Sequence, residues 1–138
     1  MGQLSPTRPP DGANIGLDTV VFIYFLEHHE VHYPAARLLL ERIEAGRLTA
    51  VVSALVFSEL AVPAFRAGDA PRAQAVTDLL TAFPGLSIIP VTPEISVHAA
   101  RLRADHGLRT PDAIHIATAL LAEADALVTN DHRLQRNS

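Results

Sequence analysis

The chain has 138 residues, 49% of them apolar, a formal net charge of −4 and no cysteine. That length suits one domain burying roughly two thirds of its unfolded surface, and no apolar run approaches the roughly 18 residues of a membrane-spanning helix. Disulfides, thiol catalysis and cysteine-ligated zinc are excluded, and a mildly negative chain does not look like a nonspecific nucleic-acid coat.

All eleven basic residues are arginine. Without lysine there is no P-loop phosphate ligand and no Schiff-base amine. Phosphoryl transfer through an aspartate acceptor in a receiver-like or dehalogenase-like site also needs a lysine. The opening MGQLSPTRPPDG is polar and proline-rich and lacks the apolar centre of a signal peptide. Residues 1–13 are therefore expected to be a flexible tail ahead of a single domain over 14–138. A cysteine-free chain of this kind suits the cytoplasm.

The first expected elements lie in ANIGLDTVVFIYFLE: a strand over 14–18 and a helix over 19–27. HYPAARLLLERIEAGRL carries Ala36, Leu39, Leu40 and Ile43 at helical spacing, with Gly46 as its stop. TAVVS reads as a buried strand, and Ser53 is placed to cap the helix in ALVFSELAVPAFR. Pro63 inside that helix withholds an N–H from the Glu59 carbonyl, so a bend is expected there. DAPRAQAVTDLLTAF is a further helix with Ala73, Val76, Leu79, Leu80 and Phe83 on one stripe, followed by the strand LSIIPV. Pro93 opens the next helix at its favoured first position. Thr110 and Pro111 repeat that signal as cap and first position, placing Asp112 in the first turn, with Ala113, Ile116, Ala117 and Leu120 on the apolar face. ADALVT is the last strand. Short apolar strands alternating with helices predict an α/β fold, a parallel sheet covered on both faces.

Most of the fifteen acids fall on helix faces that should be solvated. Four do not. Asp18 follows the first strand, Asp131 follows the last, Glu59 lies two turns into the helix after the second strand, and Asp112 begins a helix. In open α/β sheets ligands bind outside the carboxyl ends of the strands, so parallel strands would bring these four into one crevice. Carboxylates so close repel one another, and desolvation raises their pKa values unless a cation intervenes. A hard divalent ion held by carboxylates, waters and substrate phosphates is the simplest compensation. Each acid also has a structural reading. Asp18 could cap a helix, Asp112 could favour the helix dipole, Asn130 and Asp131 could form an Asx turn, and Glu59 could lie on a solvated face.

GLDTVVFIYFLE, SALVFSELAVPAF, RTPDAIHIATAL and ALVTNDHRL together resemble the four acidic motifs of PIN-domain ribonucleases, in order, and most closely those of VapC-type toxins from toxin–antitoxin pairs. The resemblance runs from about residue 14 to 134. It implies a PIN-like three-layer α/β/α sandwich around a mainly parallel sheet of about four strands, and RNA cleavage dependent on Mg2+ or Mn2+. It matches Asp18, Glu59, Asp112 and Asp131 to the four catalytic acids. Asp18, Asp112 and Asp131 are implied as metal ligands, with Glu59 and Asp131 holding metal-bound water or a second ion. Thr19, Thr129 and Asn130 match supporting residues. The implied partners are an RNA substrate, a small cognate antitoxin covering the crevice with a basic group, and a second copy in a homodimer, with no membrane involved. It also implies a strand after the last motif, for which HRLQRNS is too short, and Pro63 departs from the usual second-motif helix. Two other functions stay open: RNA maturation or turnover by the same nuclease chemistry, and a PIN-like binding module without turnover.

The histidines offer less. His28 and His32 have the i, i+4 spacing of a zinc pair, but Pro34 close behind argues for a solvated loop. His115, one turn after Asp112, reads either as a crevice residue or as a buried structural histidine, and His132 is equally open. Phe22, Tyr24, Phe25, Phe57, Phe65 and Phe83 are expected mostly in the core, not as a base-stacking platform.

Overall fold

The computed structural model describes residues 8–129. Asn130, Asp131 and His132, and the question of a further strand after them, lie outside the described residues.

The described residues form four strands: β1 (Asn14–Leu17), β2 (Thr49–Ser53), β3 (Leu86–Ile89) and β4 (Ala126–Val128). Between them lie α1 (Thr19–Leu26), α2 (Tyr33–Glu44), α3 (Leu55–Arg66), α4 (Ala70–Ala82), α5 (Pro93–His106) and α6 (Thr110–Leu121). The sheet runs β3-β2-β1-β4 and every pairing is parallel. Each crossover therefore carries a pair of helices, as parallel neighbours require. Alternation along β1 splits the core. Ile15 and Leu17 join Val52, Leu40 and Val56 beneath α1–α4. On the other face, α5 and α6 bury Ile95, Ala99, Ala113 and Ile116 around Leu108. This is the expected three-layer sandwich.

Gly16 is the point of closest approach between sheet and α6. A Cβ built there would lie 2.7 Å from the Ala119 Cβ, nearer than side chains tolerate. The missing side chain lets α6 lie close against β1. Gly46 follows the cap of α2 at φ +81 and ends that helix as expected. Helix α3 continues through Pro63 to Arg66.

Several local expectations change. Thr110 is the first residue of α6, not its cap; Arg109 takes the cap position without a side-chain bond, which leaves Asp112 one residue further in. Ser53 lies one residue before the cap of α3, yet its Oγ accepts from the Leu55 N–H at 3.1 Å and so still ties down the start of the helix. Leu79 and Leu120, expected on buried stripes, are 41% and 53% exposed, and Phe65 is 62% exposed. One sheet face is too narrow to cover the outer rows of these helices. Residues in the expected tail are held in place: Arg42 donates to the Pro9 carbonyl and to Asp11, and the Gly12 N–H donates to the Arg47 carbonyl.

Candidate active site

The chain leaves β1 toward β2 on one side and returns to β4 on the other. The carboxyl edge between β1 and β4 is thus the topological switch point, where open α/β sheets leave a crevice. Asp18 is the first residue beyond β1, and it is buried. Its two oxygens have separate duties. Oδ1 accepts from the Val20 N–H at 3.1 Å and caps α1, while Oδ2 accepts from the Thr129 hydroxyl at 2.9 Å across the edge from β4. Asp18 thus caps α1 and lies at the carboxyl edge of the sheet.

Asp112 enters from the first turn of α6, which packs on β1 and β2, and is also buried. Its carboxylate is gripped by the guanidinium of Arg109, with Nε donating to Oδ2 at 3.0 Å and Nη2 to Oδ1 at 3.3 Å. Glu59 arrives from α3, half-buried. Its Oε1 accepts from the Thr19 hydroxyl and from His115 Nε2 at 2.7 Å. An ionised carboxylate only accepts, so Nε2 carries the hydrogen. The same nitrogen also lies 3.1 Å from Thr19 Oγ1, closing a three-residue ring of Thr19, Glu59 and His115. His115 is buried, and among the described residues its Nδ1 has no hydrogen-bond partner. It is therefore both the buried histidine and the crevice residue that its position allowed.

The two best-described acids titrate in opposite directions. Burial pushes Asp18 above its ordinary range; the His115 imidazole and the Val20 and Thr129 hydrogen bonds oppose this without cancelling it, and neighbouring Asp112 adds to it. Burial also pushes Glu59 upward, but hydrogen bonds from His115 and Thr19, with the electrostatic pull of His115 and Arg109, outweigh it and leave the carboxyl below its usual range. Asp18 is thus a desolvated acid short of positive charge, whereas Glu59 is already partnered.

Among the described residues, no group of three or more His, Asp or Glu side chains converges as a ready ligand set. Asp18 and Asp112 are nevertheless two buried carboxylates close enough to repel, and magnesium is commonly held by one or two carboxylates completed by water and phosphate oxygens. The donor chemistry fits such an ion. Structure brings together Asp18, Thr19, Glu59, Asp112 and Thr129 from the sequence expectations; Asn130 and Asp131 lie outside the described residues. Sequence reasoning missed Arg109. Its signal was the i, i+3 spacing to Asp112 at a helix start.

Among the described residues, the histidines at the far end of α1 belong to no cluster of three or more metal-ligating side chains. His28 stacks on Tyr33 and His32 on Tyr24, so the i, i+4 pair is split by the turn between α1 and α2. His29 Nδ1 accepts from the Val31 and His32 N–H groups.

This arrangement, a four-stranded parallel sheet with acids at its switch point, defines the class to which the chain belongs. The PIN domain family matches residues 15–138, and the chain is a member of that family. No curated protein matches it. Among solved structures it is similar to Mycobacterium tuberculosis VapC20, described as a Sarcin-Ricin loop cleaving toxin, with a TM-score of 0.71 and 16% identity over 90% of this chain and 95% of that one. It is similar also to VapBC2 of Rickettsia felis bound to promoter DNA, with a TM-score of 0.65 and 21% identity over 89% and 92%. A toxin–antitoxin complex from Klebsiella pneumoniae gives 0.59 and 23% over 83% of each chain. At such identities the likeness is one of fold.

Proposed function

We propose that this PIN domain is a metal-dependent endoribonuclease and the toxin of a toxin–antitoxin pair. The observation that carries the reading is the convergence of Asp18, Glu59 and Asp112, from three separate elements, at the sheet's switch point. Asp18 and Asp112, with Asp131, would hold Mg2+ or Mn2+. When bound, such an ion polarises a phosphodiester and makes water a nucleophile near neutral pH.

The chain's own residues supply the frame. Thr129 fixes one oxygen of Asp18, and the α1 N-terminus fixes the other. Glu59, held ionised by Thr19 and His115, would orient metal-bound water. No protein nucleophile is required.

Membership in the PIN family, together with structural neighbours that include VapBC complexes, supports a cognate antitoxin as partner. A second copy would pack through the sandwich flank. Among the described residues no helix is long and apolar enough to cross a membrane, in keeping with action on RNA in the cytoplasm.

The test is cleavage of RNA with Mg2+, with chelator, and by Asp112→Asn. Loss of cleavage under both treatments is expected. Cleavage unaffected by either would overturn the acidic-site mechanism.

A further inference from the structure

Asp112 has a cation already in place. Its side chain is 8% exposed, and both its oxygens face the guanidinium of Arg109, whose own side chain is 67% exposed. The pair spans a helix start, so one turn of α6 holds it together. Arg109 also acts on Glu59, whose carboxyl it helps keep ionised. Exposed itself and bonded to a buried carboxylate, the guanidinium lies at the rim of the crevice.

Building on the nuclease reading above, we propose that Arg109 is a resident counter-cation for Asp112 which the catalytic ion displaces, and which then binds the phosphate of the incoming RNA. The first half follows from charge and geometry. A buried carboxylate beside a second one needs compensation, and the Arg109 fork provides it while occupying both oxygens that a metal would use. Metal and guanidinium are thus competitors for one carboxylate. The second half follows from exposure and chemistry. A guanidinium fork fits phosphate as well as carboxylate, and a side chain two-thirds exposed at the rim can turn outward from a well-buried partner without disturbing the core. Compensation by Arg109 also keeps the empty crevice from being a pure repulsive cluster, and release of Arg109 ties substrate capture to metal loading.

Metal affinity separates this from a supporting role. If Arg109 merely oriented Asp112 as a ligand, its removal would weaken metal binding. If it competes, removal strengthens it. Isothermal titration of the full chain with Mn2+, without RNA, is expected to give Arg109→Gln a Kd roughly two- to fivefold lower than wild type, the scale of one partly exposed ion pair. Arg109→Lys, which keeps the charge and loses the fork, should fall between. Arg47→Gln removes an equal charge just before β2, at the amino ends of the strands and so at the other end of the sheet from the acids, and is expected to leave Kd unchanged. At saturating Mn2+ the KM for RNA should rise severalfold in Arg109→Gln. A Kd for Arg109→Gln equal to or higher than that of Arg47→Gln would overturn the competition. A lower Kd with an unchanged KM would overturn the transfer to phosphate. Absence of Mn2+ binding in the wild type would instead sink the underlying nuclease reading, and the proposal with it.

Discussion

Helix α1 carries a cluster of polar rings or acids at each end, and the two are built in different ways. At its N-terminal end, Asp18 and Thr19 meet Glu59, Asp112, His115 and Thr129, residues separated by up to 111 positions in the chain. At its C-terminal end, Tyr24, Phe25, His28, His29, His32 and Tyr33 are near neighbours in sequence whose rings pack on one another, stacked or tilted. The second cluster satisfies itself: rings cover rings, and His29 serves the backbone of its own turn. The first leaves demands unmet among the described residues, with an acid pushed upward by burial and a buried imidazole nitrogen without a partner. Chemistry-rich residues close in sequence can be a packed corner. Residues gathered from across the chain at an energetic disadvantage call for a ligand.

The contrast can be broken most sharply at Asp112. Asp112→Asn should reduce Mg2+-dependent RNA cleavage by about a hundredfold or more, the scale seen when a group stabilising transition-state charge is removed; a change under about threefold in initial rate would contradict it. His115→Ala deletes a buried ring and the donor to Glu59. Urea unfolding in chelator should show a loss of about 2–4 kcal/mol, and an unaltered midpoint would mean that the ring network holds nothing together. Gly16→Ala forces a methyl group onto Ala119, so a loss of about 1–3 kcal/mol is expected from the same unfolding experiment.

Asp18→Asn should act in the opposite direction. Because burial raises its pKa in the folded chain, the folded state binds more protons than the unfolded one once pH exceeds about 4. Stability then falls as pH rises through the window up to the raised value, and Asp18 is a burden at neutral pH. In chelator, Asp18→Asn should melt above wild type at pH 7, with the gap closing toward pH 4; a lower midpoint at pH 7 would refute the burial argument. Glu59 is the converse. Its carboxyl is lowered, so its contribution is present above the ordinary glutamate range and is lost as pH falls through the depressed value. The smallest effect belongs to the other end of α1. The pair His28→Ala and His32→Ala should change RNA cleavage by less than about twofold and should abolish no zinc-dependent rise in melting temperature, since none is expected in the wild type. A clear zinc effect in wild type alone would restore that cluster as a site.

Much of this molecule was legible before its shape was known. Strands of apolar residues separated by paired helices already implied the parallel sheet, and Pro93 and Gly46 marked helix ends because their backbone limits act locally. Asp18 and Asp112 could be singled out because one follows a strand and the other lies in the first turn of a helix. Leu79 and Leu120 were misplaced because helical spacing identifies a stripe without saying how much of it a neighbour covers. Thr110 was misplaced by one residue because Thr-Pro fits either the cap and first position or the first two positions of a helix. Asp131 and Asn130 rest on the motif alone.

What the sequence determined by itself was periodicity, helix punctuation and the placing of single charges at element ends, all of which depend on a few adjacent residues. What tertiary structure alone decided was which charges share a space. Whether Glu59 meets His115, whether Arg109 faces Asp112 alone or Glu59 as well, and how strongly Asp18 is desolvated all depend on strand order and on how closely α6 lies against β1. Electrostatic energy varies with distance and burial, and the linear chain specifies neither.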